Sequence, residues 1–195
     1  MKKIITISRE FGAGGGEIGR EVANRLHYEY YDKAIILRAA KESNIDVESM
    51  LKWDEKVPAN FGFAQSLFDF YNKPLNEKLF EAQREAIRKT AEKGNCVIVG
   101  RNANVVLQEF EKCLHVFVSA TPYFKVQNLK KQMPGYSEEK ILNQMKTVDK
   151  ARAKYCSYYT NTEFGKAEYY DLCLKSSTLG IDKCVDIICT LAEQS

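Results

Sequence analysis

The residues most able to do chemistry lie near the start of the chain, where Ile4-Ile-Thr-Ile-Ser-Arg-Glu-Phe-Gly-Ala-Gly-Gly-Gly-Glu-Ile-Gly-Arg20 predicts a buried strand running through a glycine-rich loop into a helix. A loop with little side-chain bulk lets several backbone N–H groups converge on an anion at the positive end of a helix. Gly12, Ala13, Gly14, Gly15, Gly16 and Glu17, with Arg9 beside them, are therefore candidate phosphate-binding residues. Phosphate loops usually carry Lys followed by Ser or Thr, and here Gly15 and Gly16 stand in those positions. Neither can bridge terminal phosphates or hold magnesium as that pair does. A hydrogen bond to a charged group contributes about 1.5–3 kcal/mol, and losing a preorganised transition-state donor lowers a rate about 100- to 1,000-fold. Backbone amides would keep binding while catalysis falls, unless another cation moves in. Lysine restored at Gly15 is expected to raise activity if the remaining machinery is intact.

The loop also admits two other readings. Gly14, Gly16 and Gly19 satisfy G-x-G-x-x-G, and Asp32 follows 18 residues after Gly14, as a dinucleotide-binding fold requires. Six residues, Ser8 to Ala13, separate the strand from Gly14, which suits a loop wrapped around a phosphate better than a sharp turn beneath a pyrophosphate. A tight connection that binds nothing is the second alternative. Four glycines in five positions weigh against it, because each adds conformational entropy that folding must overcome.

The elements that position this loop follow from short apolar runs at Ile4 to Ile7, Tyr28 to Tyr31, Cys96 to Val99, Leu114 to Val118 and Asp171 to Leu174. Between them, Ile18, Val22 and Leu26 form one helical stripe, and Leu79, Phe80, Ala82, Ala86, Ile87 and Ala91 form another. Strands alternating with helices predict an α/β fold with a parallel sheet covered on both faces. Arg101 directly follows Val97-Ile-Val-Gly100, at the carboxyl end of a buried strand, where ligands of open parallel sheets sit.

At 195 residues, 45% hydrophobic and 28% charged, the chain suits one core with insertions. A net charge of +3 supplies no global field for nucleic acid or an anionic membrane. No stretch nears the roughly 20 apolar residues of a membrane span. The six cysteines lack zinc-type spacing and several sit in apolar runs, which predicts reduced core residues and a cytoplasmic protein. His115 falls inside a strand pattern and reads as a hydrogen-bonded structural residue; His27 has no partner that the sequence reveals.

Two segments fall outside the strand–helix alternation, at about 33–76 and 122–159. The first carries Trp53, Phe61, Phe63, Phe68, Phe70 and Tyr71, broken by Pro58, Gly62 and Pro74. Its aromatics suit a satellite core, a nucleobase pocket or a self-association surface that would make a homodimer through residues 58–75.

Taken together, Ile5-Thr-Ile-Ser-Arg-Glu-Phe-Gly12, Tyr30-Tyr-Asp-Lys33, Cys96-Val-Ile-Val-Gly-Arg-Asn-Ala103, Val148-Asp-Lys-Ala-Arg152 and Tyr170-Asp-Leu172 resemble the cytidylate kinase-like family, relatives of the nucleoside monophosphate kinases of the P-loop superfamily. The resemblance runs nearly end to end. It implies a P-loop NTPase-type three-layer sandwich with a five-stranded parallel sheet of order 2-3-1-4-5, as one kinase-like domain over residues 1–195. It also implies a helical acceptor-binding insertion at about 33–76 and a mobile lid at about 122–159. The implied chemistry is transfer of the terminal phosphoryl group of ATP, with Mg2+, to a nucleoside monophosphate such as CMP or dCMP.

By the same resemblance, Arg38 and Arg101 would grip the acceptor phosphate, Asp149 would recognise the acceptor and Arg152 would face its sugar or phosphate. Lys125 and Asn128 stand where lid arginines are usual, and Lys130 and Lys131 would act as point charges in their place. Lys125, Lys130, Lys131 and Arg152 would close together as catalytic cations that complete a charge cage with Arg101. Asp32 reads either as a second-sphere magnesium partner or as a helix cap; the magnesium ligands stay unassigned. Two other functions fit the same residues: a nucleotide-binding module without turnover, and a kinase for a different small-molecule acceptor.

Overall fold

The computed structural model describes residues 3–32 and 77–194. The segment at 33–76, with Arg38 and the aromatic cluster, lies outside the described residues.

Among the described residues five strands form one parallel sheet: β1 (Ile4–Arg9), β2 (Glu29–Tyr31), β3 (Cys96–Val99), β4 (Cys113–Ser119) and β5 (Leu172–Lys175). Their order is β2-β3-β1-β4-β5, with Ile5 opposite both Val97 and Leu114. That order also disposes of the dinucleotide reading, since β1 is flanked by β3 and β4, whereas a dinucleotide fold pairs its first strand with its second.

Continuous apolar runs are what a sheet buried on both faces demands, and alternate residues divide accordingly. Ile5, Ile7, Val97, Val99, Val116 and Val118 meet Ile18 and Val22 of α1 (Gly15–Leu26) on one face. The C-terminal helix Ile181–Gln194 adds Cys184, Val185 and Ile188 to that layer. On the other face Ile4, Cys96, Ile98 and Cys113 pack with Ala86, Ile87 and Ala91 of α2 (Glu77–Lys93) and with Ala103 and Val106 of α3 (Ala103–Val106). Burial pushes the Cys96 thiol up to about 12, which leaves it protonated and inert. Five of the cysteines are buried, and Cys173 is exposed.

A third cluster lies under the segment read as a lid. There α4 (Pro122–Gln132) and α5 (Glu138–Thr160) bring Val126, Leu129, Ile141, Met145, Val148 and Tyr155 onto Phe11 of the glycine loop and Phe80 of α2. Both helices start from side-chain caps: Thr121 accepts from the Phe124 N–H and Ser137 from the Lys140 N–H. Among the described residues no helix is long and apolar enough to cross a membrane.

Three details depart from the sequence pattern. Strand β1 continues through Ser8 and Arg9, which pair with Phe117 and Val118, so two polar residues ride on the strand into the site. Asp171 stands outside β5 and exchanges bonds with His115: its carboxylate accepts the His115 N–H at 2.7 Å, and its own N–H donates to the His115 carbonyl at 2.8 Å. His27 ends α1 in the left-handed conformation, φ 54°, its N–H directed to carbonyls of the last turn. The His115 ring meets Thr6 Oγ1 at 2.8 Å, the structural role expected of it.

Candidate active site

The glycine loop leaves the carboxyl end of β1 and enters α1 through Gly14, whose φ of 82° a residue with a Cβ adopts only under strain. Gly14 supplies no side-chain cap. The first N–H groups of a helix have no partner within it, so the amides of Gly15, Gly16 and Glu17 and the positive end of the helix dipole are what this turn offers an anion.

The loop's carbonyls, by contrast, are held from outside. The Arg9 carbonyl accepts from Arg152 Nη1 at 2.8 Å, the Gly12 carbonyl from Asn128 Nδ2 at 3.0 Å and the Ala13 carbonyl from Ser176 Oγ at 2.7 Å. Ser176 follows β5 and is wholly buried. These three bonds fix the peptide planes of the loop, which is the preorganisation an anion-binding turn needs. Ser176 was not marked by sequence reasoning, and Asn128 was noticed only as a missing arginine. Each partner is more than a hundred residues from the loop, with separations of 163 for Ser176 and 116 for Asn128.

Beside the loop lies a buried ionic network. Lys125, 8% exposed, donates from Nζ to Glu10 Oε2 at 3.1 Å and lies 3.7 Å from Asp149 Oδ2. Asp149 Oδ1 accepts the Phe11 N–H at 2.7 Å and stands 3.6 Å from Arg152 Nη1. Arg152, 4% exposed, lays its guanidinium 5.7 Å from the centre of the Phe11 ring. Glu10 Oε2 also accepts the Ala120 N–H at 3.0 Å. Burial raises the Asp149 carboxyl above the usual range; Arg152, the Phe11 N–H and Lys125 pull it back, and Glu10 pushes it up again. In this conformation Lys125 and Arg152 are tied to the loop itself. They are not free lid cations, because burying each required a carboxylate or carbonyl partner.

Lys130 and Lys131 lie further out on α4 and are both exposed. Lys130 pairs with Glu138 at 2.8 Å, at the start of α5. Glu17 is exposed in the first turn of α1.

The opposite flank is formed by β3, β2 and Arg9. Gly100, Arg101 and Asn102 all adopt left-handed backbone, with φ of 84°, 63° and 54°. Two consecutive non-glycine residues there store strain of about 1–3 kcal/mol each, a feature that clusters at functional sites. Arg101 is 5% exposed at this turn, and the Gly100 N–H is held by the Ile7 carbonyl at 3.0 Å. The Arg9 side chain crosses from β1 toward Gly100, so closely that a Cβ on Gly100 would overlap Arg9 Nη1.

On β2 the Tyr30 hydroxyl sits 3.9 Å from where a Gly16 Cβ would be, with the Arg20 guanidinium 5.3 Å from its ring centre. Burial raises the Tyr30 phenol and Asp32 adds to that, while Arg20 and Arg9 lower it. Asp32 is partly buried directly after β2. Tyr30 adjoins the loop, although the sequence pattern marks it only as a strand residue and part of the family resemblance.

This donor set suits phosphate: helix-terminal amides on a braced turn, with guanidinium groups close by. Among the described residues no group of three or more His, Cys, Asp or Glu forms a metal site. Magnesium in phosphate sites is held largely by phosphate oxygens and water, with one or two protein ligands.

A glycine loop between the first strand and first helix of a 2-3-1-4-5 parallel sheet defines a P-loop kinase fold, the architecture of nucleotide-binding phosphotransferases. The chain belongs to the cytidylate kinase-like family, whose profile matches residues 4–178. A crystal structure of an uncharacterized protein from Eubacterium ventriosum ATCC 27560 is similar over 98% of this chain and 99% of that one, at 25% identity and a TM-score of 0.76. A shikimate kinase from Bacteroides thetaiotaomicron shares the fold at 14% identity and a TM-score of 0.55, covering 97% of this chain and 98% of that one. TT1252 from Thermus thermophilus does so at 15% and 0.56, covering 98% and 97%. No curated protein sequence matches the chain.

Proposed function

We propose that the protein is an ATP-dependent phosphotransferase acting on a nucleoside monophosphate of the CMP or dCMP type, built as one kinase-like unit with an acceptor-binding insertion at about 33–76 and a lid at about 122–159. The observation that carries this reading is the glycine loop, braced through three carbonyls and leading into an α1 N-terminus that has no side-chain cap. The amides of Gly12 to Gly16 hold the donor phosphates. Arg101, with Arg38 from the insertion, holds the acceptor phosphate, whose oxygen attacks the terminal phosphorus in line as ADP leaves.

Phosphoryl transfer asks the protein mainly to align the two substrates and neutralise charge on the moving group. Magnesium, when bound to the phosphates, supplies part of that neutralisation. Lys130 and Lys131, exposed on α4, add charge on lid closure. Lys125, Asp149 and Arg152 act by holding the loop in shape.

The test is transfer from labelled ATP, with magnesium, to CMP, dCMP, UMP and AMP, reading product nucleotides directly. Turnover that Arg101→Ala abolishes is the expected result. ATP binding with no transfer at high enzyme concentration would move the reading to a nucleotide-binding module or to another acceptor. The glycines at positions 15 and 16 favour that second reading. Absence of ATP binding would remove the nucleotide reading altogether.

A further inference from the structure

The space above Gly15 is occupied. A Cβ built there would lie 2.6 Å from Arg9 Cβ and 2.7 Å from Arg9 Cγ, closer than packed carbon atoms approach. The stem of Arg9 therefore fills the volume that any side chain leaving position 15 would need first. Its far end passes Gly100, where a Cβ would overlap Nη1. Two glycines, one opening α1 and one directly after β3, are bare along the path of a single arginine side chain. The root of that side chain is fixed as well: Arg9 is the last residue of β1, in register with Val118, and its carbonyl is held by Arg152.

We propose that Arg9 and Gly15 form an exchanged pair, in which the cation that a phosphate loop ordinarily carries in the first turn of its helix is carried by the last residue of the preceding strand. This rests on the reading of the glycine loop as the donor-phosphate site. Arg9 reaches across the bare Cα of Gly15 to contact the terminal phosphates of a nucleoside triphosphate. It does so with a planar guanidinium able to give two parallel hydrogen bonds, where lysine gives a point charge. The electrostatic reach fits: Arg9 is among the charges that lower the Tyr30 phenol, whose hydroxyl stands beside Gly16.

The arrangement reverses a simple expectation. Lysine at Gly15 does not restore an active loop, because its Cβ collides with the Arg9 stem. The two positions must be changed together.

The experiment is a double-mutant cycle on the full-length protein, with Arg9→Gly, Gly15→Lys and the two combined. It reads binding of ATP, AMP and inorganic tripolyphosphate by calorimetry, with thermal unfolding of each variant. Arg9→Gly is expected to weaken ATP and tripolyphosphate binding about 10- to 100-fold while leaving AMP within about 3-fold. Gly15→Lys alone is expected to weaken tripolyphosphate as well, and the combined variant to bind it at least about 10-fold more tightly than either single one. Arg9→Lys, which keeps the stem and the charge, guards against a merely unfolded variant and should retain more affinity than Arg9→Gly.

If wild type binds ATP and Arg9→Gly binds ATP and tripolyphosphate equally well, the exchange is overturned and the loop reading stands. Additive losses in the combined variant overturn the exchange too. A wild-type protein that binds neither ATP nor tripolyphosphate overturns the loop reading and the exchange together.

Discussion

The two flanks of the glycine loop use the same residue types to opposite ends. Toward α4 and α5, Lys125 and Arg152 are buried against Glu10, Asp149 and a main-chain carbonyl, and their charge is answered within the protein. Toward β3, Arg9 is laid along the glycine backbone of Gly15 and Gly100, and Arg101 sits on a left-handed turn. One flank holds the loop's shape; the other carries the two arginines proposed above as phosphate ligands. On the α4 and α5 flank, a carboxylate in reach turns a candidate ligand into a brace.

The largest expected effect lies on the β3 flank. Arg101→Ala is predicted to lower turnover about 100- to 1,000-fold in steady-state assays. Arg101→Gly should be equally slow yet more stable than Arg101→Ala by about 1 kcal/mol in denaturant unfolding, since glycine relieves the left-handed strain at φ 63°. A fast Arg101→Gly enzyme would make this a turn residue and erase the contrast between flanks.

On the bracing flank the loss should appear in stability. Lys125→Met leaves Glu10 and Asp149 without their shared cation and is predicted to cost about 3 kcal/mol, read from urea unfolding. Wild-type stability with a large loss of rate would place Lys125 among the phosphate ligands instead.

Asp149 sharpens the same point through pH. Its carboxyl is raised by burial, so the stability it contributes is fully present below the ordinary carboxylate range and is lost as pH rises through the raised value. Asp149→Asn keeps an oxygen for the Phe11 N–H and removes the titration. Its unfolding free energy should therefore vary less across that acidic window than that of wild type. Identical pH profiles would contradict the burial assigned to this carboxylate.

The smallest effect is expected at the rim. Lys130→Ala breaks an exposed pair with Glu138 and should change stability by no more than about 0.5 kcal/mol. A fall in rate without a change in stability would mark Lys130 as a lid cation that closes on the phosphates.

Much of the frame was legible because it rests on local pattern. Cys96–Val99 is apolar throughout and forms the strand expected of it, and the stripe Ile18, Val22 packs on the sheet as its spacing implied. The glycine loop announced its turn through residues that only a special backbone tolerates. What stayed hidden depends on distant pairing. Glu10 and Lys125 are 115 residues apart, and Arg152 reaches the Arg9 carbonyl across 143. No local pattern reveals that such cations are already engaged. The left-handed backbone at Arg101 was equally silent, since arginine does not signal it, and Asn102 hints at it far more weakly than glycine does. The passage of Arg9 over Gly15 is short in sequence, yet it exists only once the strand-to-helix turn sets the two backbones face to face.

The most direct test of the account is a titration of the 15N-labelled protein with ATP and magnesium, following backbone amides and the arginine side-chain N–H groups. The largest shifts should fall on Gly14, Gly15, Gly16 and Glu17 and on the Arg9 and Arg101 side chains, while Lys125, Asp149 and Arg152 stay nearly still. Saturable binding whose shifts lie elsewhere, or no change at millimolar ATP, would contradict the assignment of this loop to the donor phosphates.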